Sequence, residues 1–413
     1  MQRSLAFLVL ASPAFAGVRT VAPSGADHAQ IAAAVLAAAP GDVVLVRAGT
    51  YAPFVIDGIG LTLLADPGAN VVVQGPVVVR NVPAGEVVEI AGLRMGAMNT
   101  TALTLADCGG SVRLVDLQAW VAPNAIAVDL PGVRVERCAD VAISRCAFTG
   151  PASPAPATAA GCALRASEST LSLHDSTLHG GFGLSGTASG AAGGDGGAAL
   201  EVLSGSAFLS GTFLTGGPGG NGGIANTGFG GCSAWAPRAG GDGGSGLEVA
   251  SGALVRVLDT SIAGGAAGSG ATTNCGQQAP DGTQGLGTVG VTIAIPGAAR
   301  GLSGSTCARE GQNATFGLRG AAGERVFLFL SNGAAQSWNE GLAGSVLVRV
   351  PFWRRVQVGT LGASGVGSAS LSAPELGAGV SARMLHVQAL YVSPSGAGRL
   401  GPARPLVLLD AAY

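Results

Sequence analysis

The residues with the clearest capacity for chemistry are Asp116, Arg145 and Asp175, which hold one place in three successive copies of a repeated segment. The copies read VRLVDLQAW, VAISRCAFTG and LSLHDSTLHGG, and two more, AFLSGTFLTGG and VRVLDTSIAGG, bring Gly211 and Asp259 into the same column. Stacked as parallel strands, column neighbours would stand about 4.8 Å apart, so Asp-Arg-Asp becomes a ladder of alternating charge. As a surface salt ladder it contributes at most about a kcal/mol. As a site it makes Arg145 a base or a substrate clamp between two acids. His174 and His179 share a copy with Asp175. Residues five apart on a strand point to opposite faces unless a turn intervenes, and the choice for both lies between solvent-facing side chains and metal or general-base work. Trp120, Phe148 and Trp235 are the aromatics available to stack on a ligand ring, although Trp120 and Phe148 sit beside apolar repeat positions that a core would claim.

Seven cysteines leave an odd one over. No CxxC spacing occurs, so no structural zinc site is expected. Cys108 and Cys138 each precede an aligned strand by three or four residues and should be neighbours in consecutive coils, where a disulfide is expected. Cys232 and Cys275 fall in two Gly-rich insertions that emerge side by side, and a bridge there would limit the entropy of both. Cys146 and Cys162 pair by default, leaving Cys307 at the junction of two domains.

The elements that must position these residues are strands. After residue 86 the copies above, together with VVEIAGLRM, each follow an earlier strand such as ALTLADC, CALRAS or GLEVAS, at a spacing of about 24 to 30 residues typical of solenoid units. One unit cannot bury its own inner face, so the units must stack around a continuous core. Helical repeats would need a 3.6-residue period, which is absent, and propeller blades need roughly 40 residues or more. Before the repeat, Ala26 to Ala39 reads as a short helix with Asp27 as cap, Gln30 three residues on, and Ile31 and Val35 on one face. It would cover the open end of the solenoid.

Three Gly-rich insertions, 180–197, 216–245 and 264–287, leave the repeat directly after its last apolar position and should emerge on one side. Their low apolar content favours mobile loops. The alternative is extended polyproline-II-like strands that pack closely because Gly carries no side chain. From about residue 301 the repeat gives way to seven alternating strands with Gly and Pro turns, an immunoglobulin-like sandwich. The expected architecture is therefore all-β: a signal peptide at 1–16, a right-handed parallel β-helix at 17–300 with an N-terminal capping helix, and a β-sandwich at 301–413, at one end of the rod.

Residues 1–16, MQRSLAFLVLASPAFA, show an early Arg3, a short apolar run and Ala-Phe-Ala, the pattern of a cleaved export signal. Secretion to the cell exterior or surface is expected. No stretch reaches the roughly 18 apolar residues of a membrane helix. Net charge is −2, all basic side chains are Arg, and no basic cluster stands out, so nucleic acid and anionic membrane are not expected partners.

The stretch IAAAVLAAAPGDVVLVRAGTY, Ile31 to Tyr51, resembles the N-terminal signature of the pectin-lyase-like superfamily: a capping helix, Pro-Gly-Asp, a Val-rich strand and Gly-Thr-Tyr. The resemblance covers residues 17 to about 300. The C-terminal part looks like the all-β modules of secreted planctomycete-type proteins. The superfamily contains polysaccharide lyases, hydrolases, epimerases and carbohydrate-binding surface proteins, so the resemblance implies a fold and a substrate class but no single reaction. Lyase members use Arg or Lys as base beside calcium-binding acids; this chain has no Lys. Asp-Asp and Gly-His-Gly motifs of polygalacturonase-type hydrolases are absent too. The expected function is structural and carbohydrate-binding, with no cofactor and no metal. The catalytic alternative is a lyase or hydrolase of an acidic polysaccharide, with Asp116, Arg145 and Asp175 as machinery, Trp120, His174 and His179 binding substrate, and calcium if a lyase.

Overall fold

In a computed structural model of the chain, residues 16–122, 130–187, 190–226 and 235–413 are described. The expected signal peptide, save Ala16, lies outside them.

From Val18 to Ile295 the chain winds through three all-parallel sheets, a long one of ten strands and two of eight. One coil shows the unit. Val87–Ala91 lies in the long sheet, Leu93–Ala97 in a second, Leu103–Ala106 in a third, and Ser111–Val115 returns beside Val87–Ala91. The register places Val88, Val112, Val141 and Leu171 in one file, all buried. Equivalent repeat positions therefore stack, and the apolar positions spaced by two fill one continuous interior. This is a parallel β-helix.

The turn from the long sheet to the second is a single residue in the left-handed region: Gly92, Asp116, Arg145, Asp175, Gly211 and Asp259, with φ from 47° to 78°. Only Gly, and to a lesser degree Asp and Asn, enters this region readily. The backbone thus accounts for every member of the column except Arg145. A matching column, Asn81, Asp107, Arg137 and Glu168, makes the turn from the third sheet into the long one. There Arg137 Nε donates to Asp107 at 2.6 Å, a second alternating ladder on the opposite flank.

The helix Ile31–Ala37 closes the N-terminal end with Ile31, Ala34 and Val35 buried in the interior. Its cap differs from the expectation. The N-cap position is Gln30, whose side-chain oxygen accepts from Ala52 N, while the Asp27 carboxylate accepts from Thr20 N and Oγ1 at 2.8 Å.

Wherever they are described, the Gly-rich insertions form regular, hydrogen-bonded extended strands, the closely packed alternative rather than the mobile-loop expectation. Outgoing runs such as 216–223 and returning runs such as 240–246 form two layers of extended strands. Gly183, Gly219 and Gly243 donate to Pro218, Ala266 and Thr283 within a layer. Between layers, Gly217 donates to Gly197, Gly244 to Gly217 and Gly265 to Gly244, each at 2.8 Å. In triplets such as Gly216-Gly217-Pro218, Gly219-Gly220-Asn221 and Gly240-Gly241-Asp242 the two glycines face backbone and the third residue is exposed. A Cβ on Gly217 would stand 1.7 Å from Gly181 O, so no side chain fits.

The C-terminal module has a three-stranded sheet, Gly301–Gly304, Asn313–Arg319 and Val366–Ser372, facing a five-stranded sheet built on the long hairpin Ala382–Val392 and Gly398–Leu409. Phe316, Leu318, Leu328, Val387, Tyr391 and Leu406 fill the space between them. All seven expected strands are present. The module does not sit at one end of the rod. Its five-stranded sheet lies on the outer face of the long sheet, where Leu45, Leu64, Ala91 and Val115 meet Ala382, Val407 and Leu409. The long sheet is thus buried on both faces, its outer face mixing these apolar residues with buried polar ones such as Glu89, Arg113 and Ser172.

The cysteine expectations change. Cys108 and Cys138 are stacked neighbours as expected, yet both are buried thiols, each donating to a carbonyl two residues back at 3.3 Å. Their mutual contact pushes the Cys138 thiol far above its ordinary range. Side chains stacked in a parallel ladder stand about 4.8 Å apart, whereas a disulfide needs Cβ atoms at about 3.8 Å. Cys146 is also a thiol, pushed up to about 12 by burial, so the default pairing with Cys162 is absent. The Cys232–Cys275 pairing falls on a residue outside those described.

Candidate functional site

The outer face of the second sheet is the open floor of the molecule. Its register aligns Gln118, Ala147, Thr177 and Phe213 in one row, and Gly96, Trp120, Thr149, His179 and Thr215 in the next. The turn column borders this floor on one side, and the Gly-rich slab rises from the other, where these strands end. The C-terminal module overhangs the turn column. A groove of about 590 Å³ runs along this junction, with Arg145, Asp175, Thr177 and Phe213 on the solenoid side and Ser303 and Arg319 on the module side.

Arg145 Nε donates to Asp116 Oδ1 at 2.7 Å, as the ladder requires. The other Asp116 oxygen accepts from Arg404 Nη2 at 2.7 Å, and the Arg404 side chain is 1% exposed. Burial pushes the Asp116 carboxyl up, but Arg404 and Arg145 outweigh it and hold it below the usual carboxylate range. Asp175 pairs with Arg319 of the module. Its carboxyl is shifted upward by burial, with Arg319 and Arg145 opposing. Gly211 brings the column within reach of the interdomain connection: a Cβ there would stand 2.9 Å from Asp175 Oδ1 and 3.0 Å from the Ala299 methyl. Asp259 accepts from Ala299 N at 2.9 Å.

Hydrolysis needs one carboxyl free to give or take a proton near a sugar oxygen. Asp116 and Asp175 stand two rungs apart, about 10 Å, and both are held by guanidinium groups. A lyase needs a base. The Arg145 guanidinium is already engaged, its Nε donating to Asp116, which opposes that role. Nor do these acids suit calcium, since the arginines that neutralise them would repel a cation. Among the described residues no three His, Cys, Asp or Glu side chains gather as a metal site would. What the arrangement can do is bind an anion. Arg145 and Arg319 line the groove against the single carboxylate of Asp175, while Asp116 is met by Arg145 and Arg404 and Asp259 by Ala299 N.

The structure brings Trp120 and His179 to the same floor as Arg145 and Asp175. Trp120 faces outward over Gly96, with the Arg94 guanidinium 5.8 Å from its ring centre, while Phe148 is in the core. The Trp235 side chain lies outside the described residues. His174 is separated from the floor: a turn does intervene, and it leaves His174 on the long sheet beneath the module. It is 1% exposed with neither ring nitrogen partnered, it packs edge-on against Phe208 at 5.6 Å, and burial lowers it to about 4. It neither faces solvent nor reaches a ligand.

Further along this seam Arg113 makes a bidentate pair with Asp140 at 2.5 and 2.7 Å. Glu89 is buried with both oxygens unpartnered, 3.7 Å from His386 Nδ1. Burial pushes Glu89 up to about 8 and His386 down to about 3, so both are neutral near pH 7.

Sequence reading missed Arg319, Arg404, Thr177 and Phe213. Phe213 was findable as the outward position of AFLSGTFLTGG. The arginines were not, since they lie 144 and 288 residues from their aspartates. Neither a protein-family model nor a curated protein matches the chain.

Proposed function

We propose that the chain is an exported, non-catalytic member of the pectin-lyase-like superfamily that binds an acidic polysaccharide along the groove beside Arg145 and Arg319. The observation that carries the reading is that Asp116 and Asp175 are paired with Arg404 and Arg319 of the C-terminal module and Asp259 accepts from Ala299 N, while Arg145 and Arg319 outnumber Asp175 among the charged residues lining the groove. Phe213 and Trp120 supply apolar surface on which a sugar face can rest, and guanidinium groups match carboxylates in geometry as well as charge. The module that covers the flank doubles as one wall, so the protein is a stiff support and a binding surface together.

Affinity electrophoresis in gels containing polygalacturonate or neutral dextran tests this. Retardation by polygalacturonate alone, lost in Arg145→Ala and reduced in Arg319→Gln, is expected. Formation of unsaturated products or reducing ends from any substrate, abolished in Arg145→Ala, would refute it and favour a lyase or hydrolase.

A further inference from the structure

A second cavity lies inside the C-terminal module, at the end where its two sheets part. It measures about 430 Å³ and is floored by Leu330, Leu385, Leu406 and Leu408, all buried. Val356 and Leu371 form its half-buried sides. A volume of this size is that of a small-molecule site, concave and mostly apolar with a few polar groups at its mouth.

Its mouth differs in chemistry from its floor. Trp353, 40% exposed, stands at the rim, fixed from one side by Arg383, whose guanidinium is 4.4 Å from the ring centre. Arg354 is exposed beside it, and its guanidinium has no hydrogen-bond or ion-pair partner among the described residues. Ser370 and Ser372 complete the rim, and no carboxylate lines the cavity. Phe352 is stacked on Phe329 at 4.4 Å and holds the segment Pro351–Arg355 against the module.

We infer that this cavity binds a single-chain anionic amphiphile, its hydrocarbon tail among Leu330, Leu385, Leu406 and Leu408 and its carboxylate, sulfate or phosphate head on Arg354. The charge of the rim selects the head, and the apolar floor selects the tail. The site is separate from the polysaccharide groove and does not depend on that reading.

The test is calorimetric titration of the full chain with octanoate, decanoate and dodecanoate below their micellar concentrations, with decanol and decyltrimethylammonium as head-group controls. One-to-one binding is expected, tightening by about fourfold per methylene until the cavity is full, with decanoate at least tenfold tighter than either control. Arg354→Gln should remove the preference for decanoate over decanol and leave decanol affinity unchanged. Leu371→Trp, which fills the cavity, should abolish binding of all three acids; circular dichroism verifies that each variant is folded. No saturable binding, or equal affinity for anionic and cationic heads, would overturn the inference. So would retention on phosphatidylglycerol vesicles that dodecanoate does not compete away, which would make the same rim a membrane contact instead.

Discussion

Replacing Gly217 by alanine should destabilise the Gly-rich slab, and the sign of the effect separates a packed bundle from a set of flexible loops. In a flexible loop, Gly→Ala is neutral or stabilising by about 0.4–1 kcal/mol, because it reduces the freedom of the unfolded chain. In the slab the added methyl would stand 1.7 Å from Gly181 O and 2.6 Å from Gly181 C, both backbone atoms with no rotamer to relax. The strands must part by more than an ångström, and the 2.8 Å bonds from Gly217 N to Gly197 O and from Gly244 N to Gly217 O cannot survive that separation. Two lost bonds at about 1 kcal/mol each and about 1–3 kcal/mol of overpacking sum to about 3–5 kcal/mol. Hydrogen exchange read by mass spectrometry on the 180–187, 216–226 and 238–246 segments is the direct assay. Protection there should fall by about two to four orders of magnitude. Ser269→Ala is the control, because its side chain is exposed and faces away from the bundle; it should change protection little, within about 0.5 kcal/mol. Equal and small effects of the two substitutions would refute the packed slab.

Glu89→Gln should stabilise the protein above pH 8 and leave it unchanged near pH 4. The native carboxyl ionises at about 8 rather than 4.5, so the native state holds the extra proton in between. Stability therefore falls as pH rises through that window, by an amount on the order of 5 kcal/mol, and denaturant titrations across pH would show the variant's flatter profile. His386 acts in the opposite sense: lowered to about 3, it costs stability as pH falls below 6.5 and the unfolded state gains the proton, so His386→Leu should lose less stability on acidification than the parent. Arg404→Met should cost about 3 kcal/mol or more near neutral pH, since it strips a buried guanidinium from Asp116 and Gly304 O. Asp116 is held below its usual range, so that contribution is present above about pH 4 and fades as pH falls through its folded value; parent and variant should converge in acid. Cys108, Cys138, Cys146 and Cys307 should resist a thiol reagent in the native protein and react after unfolding, because all four are buried; modification of the native Cys108–Cys138 pair would contradict this.

The solenoid was legible because stacking is local information repeated. The copies VRLVDLQAW, VAISRCAFTG and LSLHDSTLHGG carry their inward residues at the same offsets, and the register that pairs Val112 with Val141 is the alignment of those copies. The column of Asp116, Arg145 and Asp175 was visible for the same reason. Its cause was not: the position demands a left-handed residue, and Asp serves there for its backbone first. The slab was harder to read. Composition alone marks a Gly-rich run as unable to bury apolar surface, but the runs bury backbone against backbone, and the G-G-x phase that permits this depends on all three insertions being present side by side.

The sequence by itself determined the coil and its ladder, because each rung is specified by residues within about thirty positions of the next. Only the tertiary structure decided what the ladder faces. Outward Leu45, Leu64, Ala91 and Val115 announce that the long sheet is covered, yet no local pattern names the cover. The C-terminal module supplies it, brings Arg319 and Arg404 onto Asp175 and Asp116, and buries His174. Contacts across 144 to 288 residues arise from the fit of two apolar surfaces, which neither spacing nor periodicity encodes. That fit turns a flank resembling a catalytic face into a charged groove between two domains.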